Sequence, residues 1–463
     1  MQFRLSRHRS RLVEFFNDPE YYRQLIQFVI PIALQNLVMS SLNMVSVMMI
    51  GQLGEASVAG VGLANQMFFL LQLVLFGITS GSAMFTAQLW GKGDLANIRR
   101  VLGLGLVLGL SAAGIFFSLG RFFPAAVLGV YSTDPQVIEL GGQYLRTFSW
   151  GFLFVAVTFV FAAVMRSTGN VKTPMLVSVS ALALNSLGSY LLIFGKLGFP
   201  ALGVQGAAIS NLAARAFECS VLVGIVYLKR LPIALRWSDL RSLDLSFIGA
   251  VFRPMLPVIL NETFWSFGIT AYNVVYARIG TEAIAAMNIV SPIENMAFVL
   301  ISGIANATAI LVGNRIGAGE EQRAYRYAGR SLALVAVIAV IIGSQVWLWS
   351  GLILSVYRVS PQVIENARRV LGIMAVVLCV RGVNSTIVVG ILRAGGDTRF
   401  SFVLDGLIIW IVGVPMAFLS AFVFHLPIYW VYFSVMSEEF LKCGFGLGRY
   451  FSRKWIHNLA QTV

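Results

Sequence analysis

Long apolar stretches alternate with short polar breaks along the whole chain. Each stretch is long enough for a helix that spans a membrane, which needs about 20 apolar residues. The pattern predicts twelve such helices, six in each half of the chain. Their predicted ranges are 23–50, 57–88, 99–128, 135–165, 172–195, 201–229, 248–277, 283–314, 323–355, 361–392, 399–424 and 427–449.

A charged stretch at residues 229–246 separates the sixth apolar stretch from the seventh, and it contains Pro232. It is the natural boundary between two halves, because it is the one stretch of soluble character between them. We therefore predict an N-terminal segment, a first lobe of six helices, a linker, a second lobe of six helices and a C-terminal tail. These parts cover residues 1–22, 23–229, 230–247, 248–449 and 450–463, respectively.

The two halves carry similar motifs at a constant spacing. Pro31 is followed 226 residues later by Pro257, and Gly91-Lys92-Gly93 is followed at the same spacing by Gly317-Ala318-Gly319. A register held over most of a lobe indicates a duplication. Because each copy has an even number of helices, the copies should be parallel repeats, a design common in secondary transporters. We predict an all-α membrane protein with twelve transmembrane helices in two pseudo-symmetric six-helix lobes.

The composition places these helices in a lipid bilayer. Of 463 residues, 58% are apolar or aromatic and only 12% are charged, whereas a soluble chain carries roughly a quarter charged residues. The net charge of +14 would suggest nucleic-acid binding in a soluble protein. Here 25 of the 34 Lys and Arg residues, Arg393 among them, fall on one side of the predicted topology, as expected of cytosolic loops. We predict no nucleic-acid partner and a multi-pass protein of the cell (inner) membrane with both termini in the cytoplasm.

The sequence has no pattern typical of an enzyme or a metal centre. Cys219, Cys379 and Cys443 lie far apart in apolar stretches, and the three His residues are equally scattered, so neither a disulfide framework nor a zinc site is indicated. No phosphate-binding loop, nucleophile elbow or zinc-protease motif is present. We therefore predict no enzymatic activity and no cofactor. A transporter of this composition would draw on a Na⁺ or H⁺ gradient.

Ionisable side chains within the apolar stretches are the candidates for function, since a charge inside the bilayer is costly. Glu262 follows Pro257, which removes a backbone donor and frees a carbonyl. Together with Asn261, these oxygens are hard ligands of the kind that Na⁺ or H⁺ coupling needs, so a Na⁺ site near Glu262 is one possibility. The repeat partner of Glu262 is Asn36, so one lobe has an acid where the other has an amide. We predict Glu262 and Asn261 as cation-coupling residues.

Further polar residues occur in the apolar stretches of the second lobe. Glu294 lies in NIVSPIENM, and Asp405 lies eight residues beyond Asp397, about 12 Å deeper at 1.5 Å per residue. We predict Glu294 and Asp405 as cation-coupling residues too. Arg381 can pair with Glu262 or Glu294, or contact an anionic substrate. The residues predicted to line a substrate cavity are Asn36, Asn185, Phe264, Trp265, Asn288, Ser291, Asn295, Arg381 and Asn384.

Five motifs make the chain similar to the MATE (multidrug and toxic compound extrusion) family over about residues 20–450. They are VMMIGQLGEASVAGVGLANQ, TAQLWGKGD, VGNRIGAGE, MRSTGNVKTP and LRAGGDTRF. The resemblance implies two six-helix lobes around a central cavity. It also implies a monomer that exports an organic, often cationic, compound while Na⁺ or H⁺ enters, by alternating access. The expected partners are an amphipathic organic cation and membrane lipid.

The coupling residues of that family match this chain only in part. Glu262 corresponds to the helix-7 acid of the NorM-like branch, but helix 10 has no acid where that branch has its second one. The DinF-like branch has acids in helices 1 and 5, where this chain has Ser46 and Ser189. The resemblance therefore implies coupling in the second lobe, at Glu262 with Glu294 or Asp405.

The sequence leaves three functions open. The first is an exporter of drugs or organic cations. The second is a flippase for a lipid-linked or anionic amphipathic molecule, because the wider superfamily includes lipid flippases. Those often have more basic residues along the cavity, and here only Arg381, Arg215 and Arg146 qualify. The third is a channel or a membrane-embedded enzyme. Duplicated lobes argue against a channel pore, and the missing catalytic motifs argue against an enzyme.

Overall fold

Twelve long helices make up most of the structure, a computed structural model that describes residues 17–463. The first sixteen residues of the predicted N-terminal segment therefore lie outside the described residues. The long helices are α1 (Pro19–Gly51), α2 (Glu55–Lys92), α3 (Leu95–Phe122), α4 (Pro135–Ser167), α5 (Lys172–Phe194), α6 (Gly203–Leu228), α7 (Leu245–Ile279), α8 (Thr281–Gly317), α9 (Glu321–Ser355), α10 (Pro361–Arg393), α11 (Thr398–Val423) and α12 (Ile428–Ser452).

The repeat is visible in where the helices begin. Helices α7 to α11 each start 226 residues after their counterparts α1 to α5. Local sequence explains one such pair of starts. Asp134 and Ser360 accept hydrogen bonds from the first amides of α4 and α10, and Pro135 and Pro361 follow them at the first helical position. Both features favour helix initiation, because the first amides of a helix lack an intrahelical partner. The capping side chain accepts hydrogen bonds from such amides, and proline has no amide hydrogen.

Glycines shape the turns that follow four of the helices. The turns after α2, α4, α8 and α10 contain Gly93, Gly169, Gly319 and Gly396, with φ of +80°, +90°, +79° and +82°. Residues with a Cβ rarely adopt such angles. The repeated motifs GKGD, STGN, GAGE and AGGD are therefore explained by tight connections between successive helices.

Eleven of the helices in residues 17–463 are long and apolar enough to cross a membrane. The remaining long helix, α12, carries four charged residues, which are Glu438, Glu439, Lys442 and Arg449. The predicted third helix, 99–128, differs from the structure in detail. It ends at Phe122, and a separate short helix, Pro124–Gly129, follows, because proline starts a helix more readily than it continues one.

The described chain divides into two compact units. The C-terminal unit contains the described residues up to Ala33 together with Ala87–Gly93 and Arg253–Val463, and the N-terminal unit contains Leu34–Thr86 and Asp94–Phe252. This division differs from the predicted lobes at three places. The start of α1 and the end of α2 group with the C-terminal unit, and the linker groups with the N-terminal unit.

The linker is held against α3 within the N-terminal unit. Arg99 forms an ion pair with Asp239 at 3.0 Å, and Arg100 forms one with Asp244 at 2.8 Å. The guanidinium of Arg100 also lies 3.9 Å from the centre of the Phe247 ring. Residues 230–252 therefore pack as part of this unit and are not a free connection.

The predicted C-terminal tail is packed into the C-terminal unit. Trp455 is completely buried, and the His457 amide donates to the Gly395 carbonyl at 2.7 Å. The side chain of Gln88, at the end of α2, accepts a hydrogen bond from the Leu459 amide at 2.6 Å. The last residues thus connect the turn after α10 to the end of α2 by hydrogen bonds. This role could not be predicted from a short polar sequence.

Candidate functional site

Glu262 of α7 forms an ion pair with Arg393 at the end of α10. The distance between Glu262 Oε1 and Arg393 Nη1 is 2.6 Å, and only 12% and 4% of the two side chains are exposed. Arg393, predicted in the loop between α10 and α11, is the last residue of α10, and its side chain is buried. The last turns of α10, Thr386–Arg393, are π-helical, and such wide turns occur often at functional sites.

A second polar group surrounds Lys442 of α12, which is 1% exposed. Its ammonium lies 3.2 Å from Asp405 Oδ1, 3.3 Å from Glu438 Oε1 and 3.9 Å from Glu439 Oε1. Asn261 Nδ2 donates to the other oxygen of Asp405 at 3.2 Å. We call these four charged residues the Lys442 cluster. It joins α11 to α12 and, through Asn261, to α7.

Arg381 of α10 forms an ion pair with Glu294 of α8. Of the partners left open by the sequence, the structure thus has Glu294, and Glu262 is engaged by Arg393 instead. The Tyr432 hydroxyl donates to Glu294 Oε2 at 3.5 Å. Arg381 therefore brings no uncompensated positive charge to this part of the unit.

Asn384, one of the residues predicted to line a cavity, lies at the contact between α10 and α12. It is buried, and its Nδ2 donates to both the main-chain oxygen and Oε2 of Glu439, at 2.7 Å each. Its role in the structure is to connect α10 to α12. A buried amide reaches such partners because an unsatisfied polar group away from water is costly.

The aromatic and polar residues predicted on α7 and α8 are more accessible. Phe264 and Trp265 are each 37% exposed, and Phe264 packs edge-on against Phe402 with ring centres 5.5 Å apart. On α8, Asn288 and Asn295 are exposed. Ser291, which is half-buried, donates to a carbonyl of its own helix. Positions three and seven residues apart share one helix face, so these three polar side chains form a stripe along α8.

The N-terminal unit contains fewer ionisable groups of this kind. Asn36 and Asn185 are both half-buried. Ser46 donates to a carbonyl of its own helix at 3.2 Å, and Ser189 lies 3.5 Å from the Asn185 side-chain oxygen. Arg215 and Glu218 form a buried ion pair at 2.8 Å. This pair belongs to one helix, as expected of residues three apart.

Ion pairs also join the start of α1 to α8 and α9 within the C-terminal unit. Glu20 lies 2.9 Å from Arg315 and 3.4 Å from Arg323, and Asp18 pairs with Arg330. Burial alone would raise the pKa of the Asp18 carboxyl, but hydrogen bonds from Arg330 and the Tyr21 amide outweigh it and lower that pKa.

Sequence reasoning found the acids of the C-terminal unit and the local pairing of Glu438 and Glu439 with Lys442, which the structure shows. It missed the pairing of Glu262 with Arg393 and of Asp405 with Lys442. Arg393 stands beside a glycine-rich turn, so it resembles a loop residue. Lys442 follows Glu438 and Glu439 by four and three residues, so local pairing explains it without Asp405. One feature of the sequence could have identified Lys442. A lysine within an apolar stretch is rare, and such a residue is a candidate for function.

Comparison with known proteins assigns the chain to a family. The MatE family profile matches residues 31–191 and again residues 257–419. The probable multidrug resistance protein NorM of Thermotoga maritima is 24% identical over 444 residues, which cover 94% of each chain. The probable multidrug resistance protein YoeA of Bacillus subtilis is 26% identical over 407 residues, or 87% of each chain.

Solved structures share the fold. A MATE protein crystallised in a bent conformation has a TM-score of 0.84 at 19% identity, covering 96% of this chain and 98% of that one. A MOP superfamily transporter from Pyrococcus furiosus, described with a binding pocket of reverse polarity, has a TM-score of 0.83 at 19% identity, covering 94% and 97%. These likenesses confirm the twelve-helix, two-lobe fold. With the two profile matches, which together cover more than half of the residues, they show that the chain is a membrane transporter of the MatE family.

Proposed function

We propose that the protein exports amphipathic organic compounds, cations foremost, in exchange for Na⁺ or H⁺ by alternating access. Relatives named as probable multidrug resistance proteins align with it over nearly their whole length, which supports export of this substrate class. We also propose a monomer in the cell (inner) membrane, from the family resemblance, with both termini in the cytoplasm, from the one-sided distribution of Lys and Arg.

The observation that carries ion coupling is the set of half-buried, paired carboxylates on α7, α8 and α11. Glu262, Glu294 and Asp405 each lie in a membrane-spanning helix and each is held by a basic side chain. A buried charge is stable only while its partner stays in place. An incoming cation that neutralises such a carboxylate releases the partner, and this exchange links ion binding to a movement of helices.

Glu262 is the best placed of these acids for Na⁺ or H⁺. Its neighbour Asn261 is 1% exposed, and the side-chain oxygen of Asn261 has no hydrogen-bond partner within residues 17–463. Together with the carboxylate of Glu262, this amide oxygen offers hard oxygen ligands for Na⁺, and the carboxylate alone suffices for H⁺.

The accessible aromatic residues support an organic cation as the substrate. Phe264 and Trp265 are partly exposed next to Glu262, and aromatic faces attract cations. Pairing of Arg381 with Glu294 removes the objection that a positive charge would repel such a substrate. The same pairing, with that of Arg215 and Glu218, weakens the flippase alternative, because both arginines are engaged.

Counterflow in proteoliposomes tests the proposed substrate class. Vesicles loaded with one compound are diluted into a labelled one, and exchange is measured for a panel of amphipathic cations and anions. We expect exchange of cations such as ethidium and little exchange of anionic amphiphiles. Because one structural neighbour is described with a pocket of reverse polarity, the anions are an essential part of the panel. Exchange of anions alone would contradict the proposal.

A further inference from the structure

The Lys442 cluster holds more negative than positive charge. Three carboxylates pair with one ammonium, so the fully ionised cluster has a formal charge of −2. Both Lys442 and Glu438 are more than nine-tenths buried. Uncompensated charge in such surroundings is expensive, and a buried carboxylate relieves the cost by binding a proton. The question is which of the three carboxylates binds it.

Asp405 and Glu439 are the less suitable positions, because both of their oxygens have partners. Asp405 accepts from Lys442 at one oxygen and from Asn261 at the other. Glu439 faces the Lys442 ammonium at 3.9 Å with Oε1 and accepts from Asn384 at 2.7 Å with Oε2. Hydrogen bonds of this kind stabilise the ionised carboxylate.

Glu438 differs from both, because only one of its oxygens accepts a hydrogen bond from a basic or amide side chain. Its Oε1 accepts from Lys442 at 3.3 Å, whereas its Oε2 is buried and has no hydrogen-bond partner within residues 17–463. The hydroxyl of Tyr272 on α7 is buried and unpartnered in the same range. Both oxygens lie against Gly413 of α11, where a Cβ would overlap them. Glycine at this position leaves the space in which the two groups face each other.

The surroundings of Glu438 contain ionisable groups from several helices. Two tyrosines come from α7, an arginine from α10 and a glutamate from α8. An aspartate comes from α11, and a glutamate and a lysine come from α12 itself. These residues are Tyr272, Tyr276, Arg381, Glu294, Asp405, Glu439 and Lys442. A proton on Glu438 leaves two carboxylates for Lys442, so the ammonium stays paired in both states.

We propose that Glu438 is a proton-binding residue of the transport cycle, with Tyr272 as its hydrogen-bond partner in both protonation states. A proton from the external solution binds to Glu438 Oε2, and the new O–H group donates to the Tyr272 oxygen. When the proton leaves, the Tyr272 hydroxyl turns and donates to the carboxylate. A hydroxyl serves both states because it is at once donor and acceptor. This inference rests on the proposed ion-coupled transport and assigns the ion as H⁺.

The test compares Glu438→Gln with the matched variant Glu439→Gln, which removes the neighbouring charge of the same cluster. Purified full-length protein is reconstituted in vesicles, and ethidium transport is measured under an imposed pH gradient and in counterflow without a gradient. We expect Glu438→Gln to lose the response to the pH gradient and keep counterflow. We expect Glu439→Gln to keep counterflow and a response to the pH gradient, with its pH profile shifted to lower pH because the cluster has one negative charge fewer.

Tyr272→Phe provides a second variant that leaves the charge of the cluster unchanged. It should slow pH-driven transport several-fold and shift its pH profile while counterflow continues. A wild-type response of Glu438→Gln to the pH gradient would overturn the inference, as would loss of that response in Glu439→Gln alone. If Glu438→Gln does not fold, an unchanged pH profile in Tyr272→Phe overturns it. Wild-type transport driven by Na⁺ and indifferent to pH would overturn the inference and leave the proposed export intact, whereas absence of any wild-type counterflow would refute the proposed function.

Discussion

Glu262, Glu294 and Asp405 share one property: each is held by a basic side chain from another helix. The acids themselves could be predicted, since a carboxylate in an apolar stretch stands out in the sequence. Their partners could not, because the pairing is set by the packing of segments more than 30 residues apart. In such a pair, the cost of removing two charges from water nearly cancels their electrostatic attraction. The effect of the pair on protein stability therefore depends on whether both partners are present.

The pair between Arg381 and Glu294 allows this balance to be measured. Arg381→Met or Glu294→Leu alone leaves one buried charge without its partner and should lower stability by about 3 kcal/mol. The double variant removes both charges and should lie within about 1 kcal/mol of the wild type. Thermal unfolding in detergent measures the stability of the wild type, the two single variants and the double variant. A double variant whose loss equals the sum of the single losses would contradict the expectation.

The helices followed from the sequence because apolar length, capping residues and turn glycines are local signals. The π-helical turns of α10 and α11, at Thr386–Arg393 and Phe402–Leu407, did not, since they depend on packing against other helices. They matter for the site, because they carry Arg393 and Asp405. The contact between α2 and α8 in the C-terminal unit could not be predicted from the sequence either. There, the backbones of Gly91 and Asn314 touch.

Close packing of α2 on α8 makes Gly91 sensitive to the smallest side chain. A Cβ at this position would overlap the carbonyl of Asn314, and such overpacking costs about 1–3 kcal/mol. We expect Gly91→Ala to lower the unfolding temperature. Gly114→Ala in α3 is the matched control, because no atom lies within 4 Å of the added Cβ and alanine favours a helix interior by up to about 1 kcal/mol. Equal melting temperatures for the two variants would show that the contact is unimportant.

At the scale of the whole molecule, duplication and charge distribution are the properties that the sequence displays best. The two family matches begin at Pro31 and Pro257, which are the positions that first revealed the 226-residue repeat. Most of the positive charge, 25 of the 34 Lys and Arg residues, was assigned to the cytosolic side. Part of it, including Arg393 and Lys442, lies inside the C-terminal unit as partners of buried acids.

Cytoplasmic termini remain a prediction that labelling of intact cells can test. In a variant without the three native cysteines, Thr133→Cys lies between α3 and α4 and Ser238→Cys lies in the linker, and both positions are exposed. We expect a membrane-impermeant thiol reagent to label Thr133→Cys in intact cells and Ser238→Cys only after permeabilisation. The reverse pattern would place the termini outside.

Gradient-driven transport by Glu262→Gln is the measurement that bears most directly on coupling in the second half of the chain. Wild type, Glu262→Gln and the control Ser46→Ala are reconstituted in vesicles, and ethidium transport is followed under imposed Na⁺ and H⁺ gradients. We predict that one of the gradients drives transport by the wild type and by Ser46→Ala. Glu262→Gln should fold, retain counterflow and lose that response. Wild-type rates from Glu262→Gln under the same gradient would contradict a coupling role for this carboxylate.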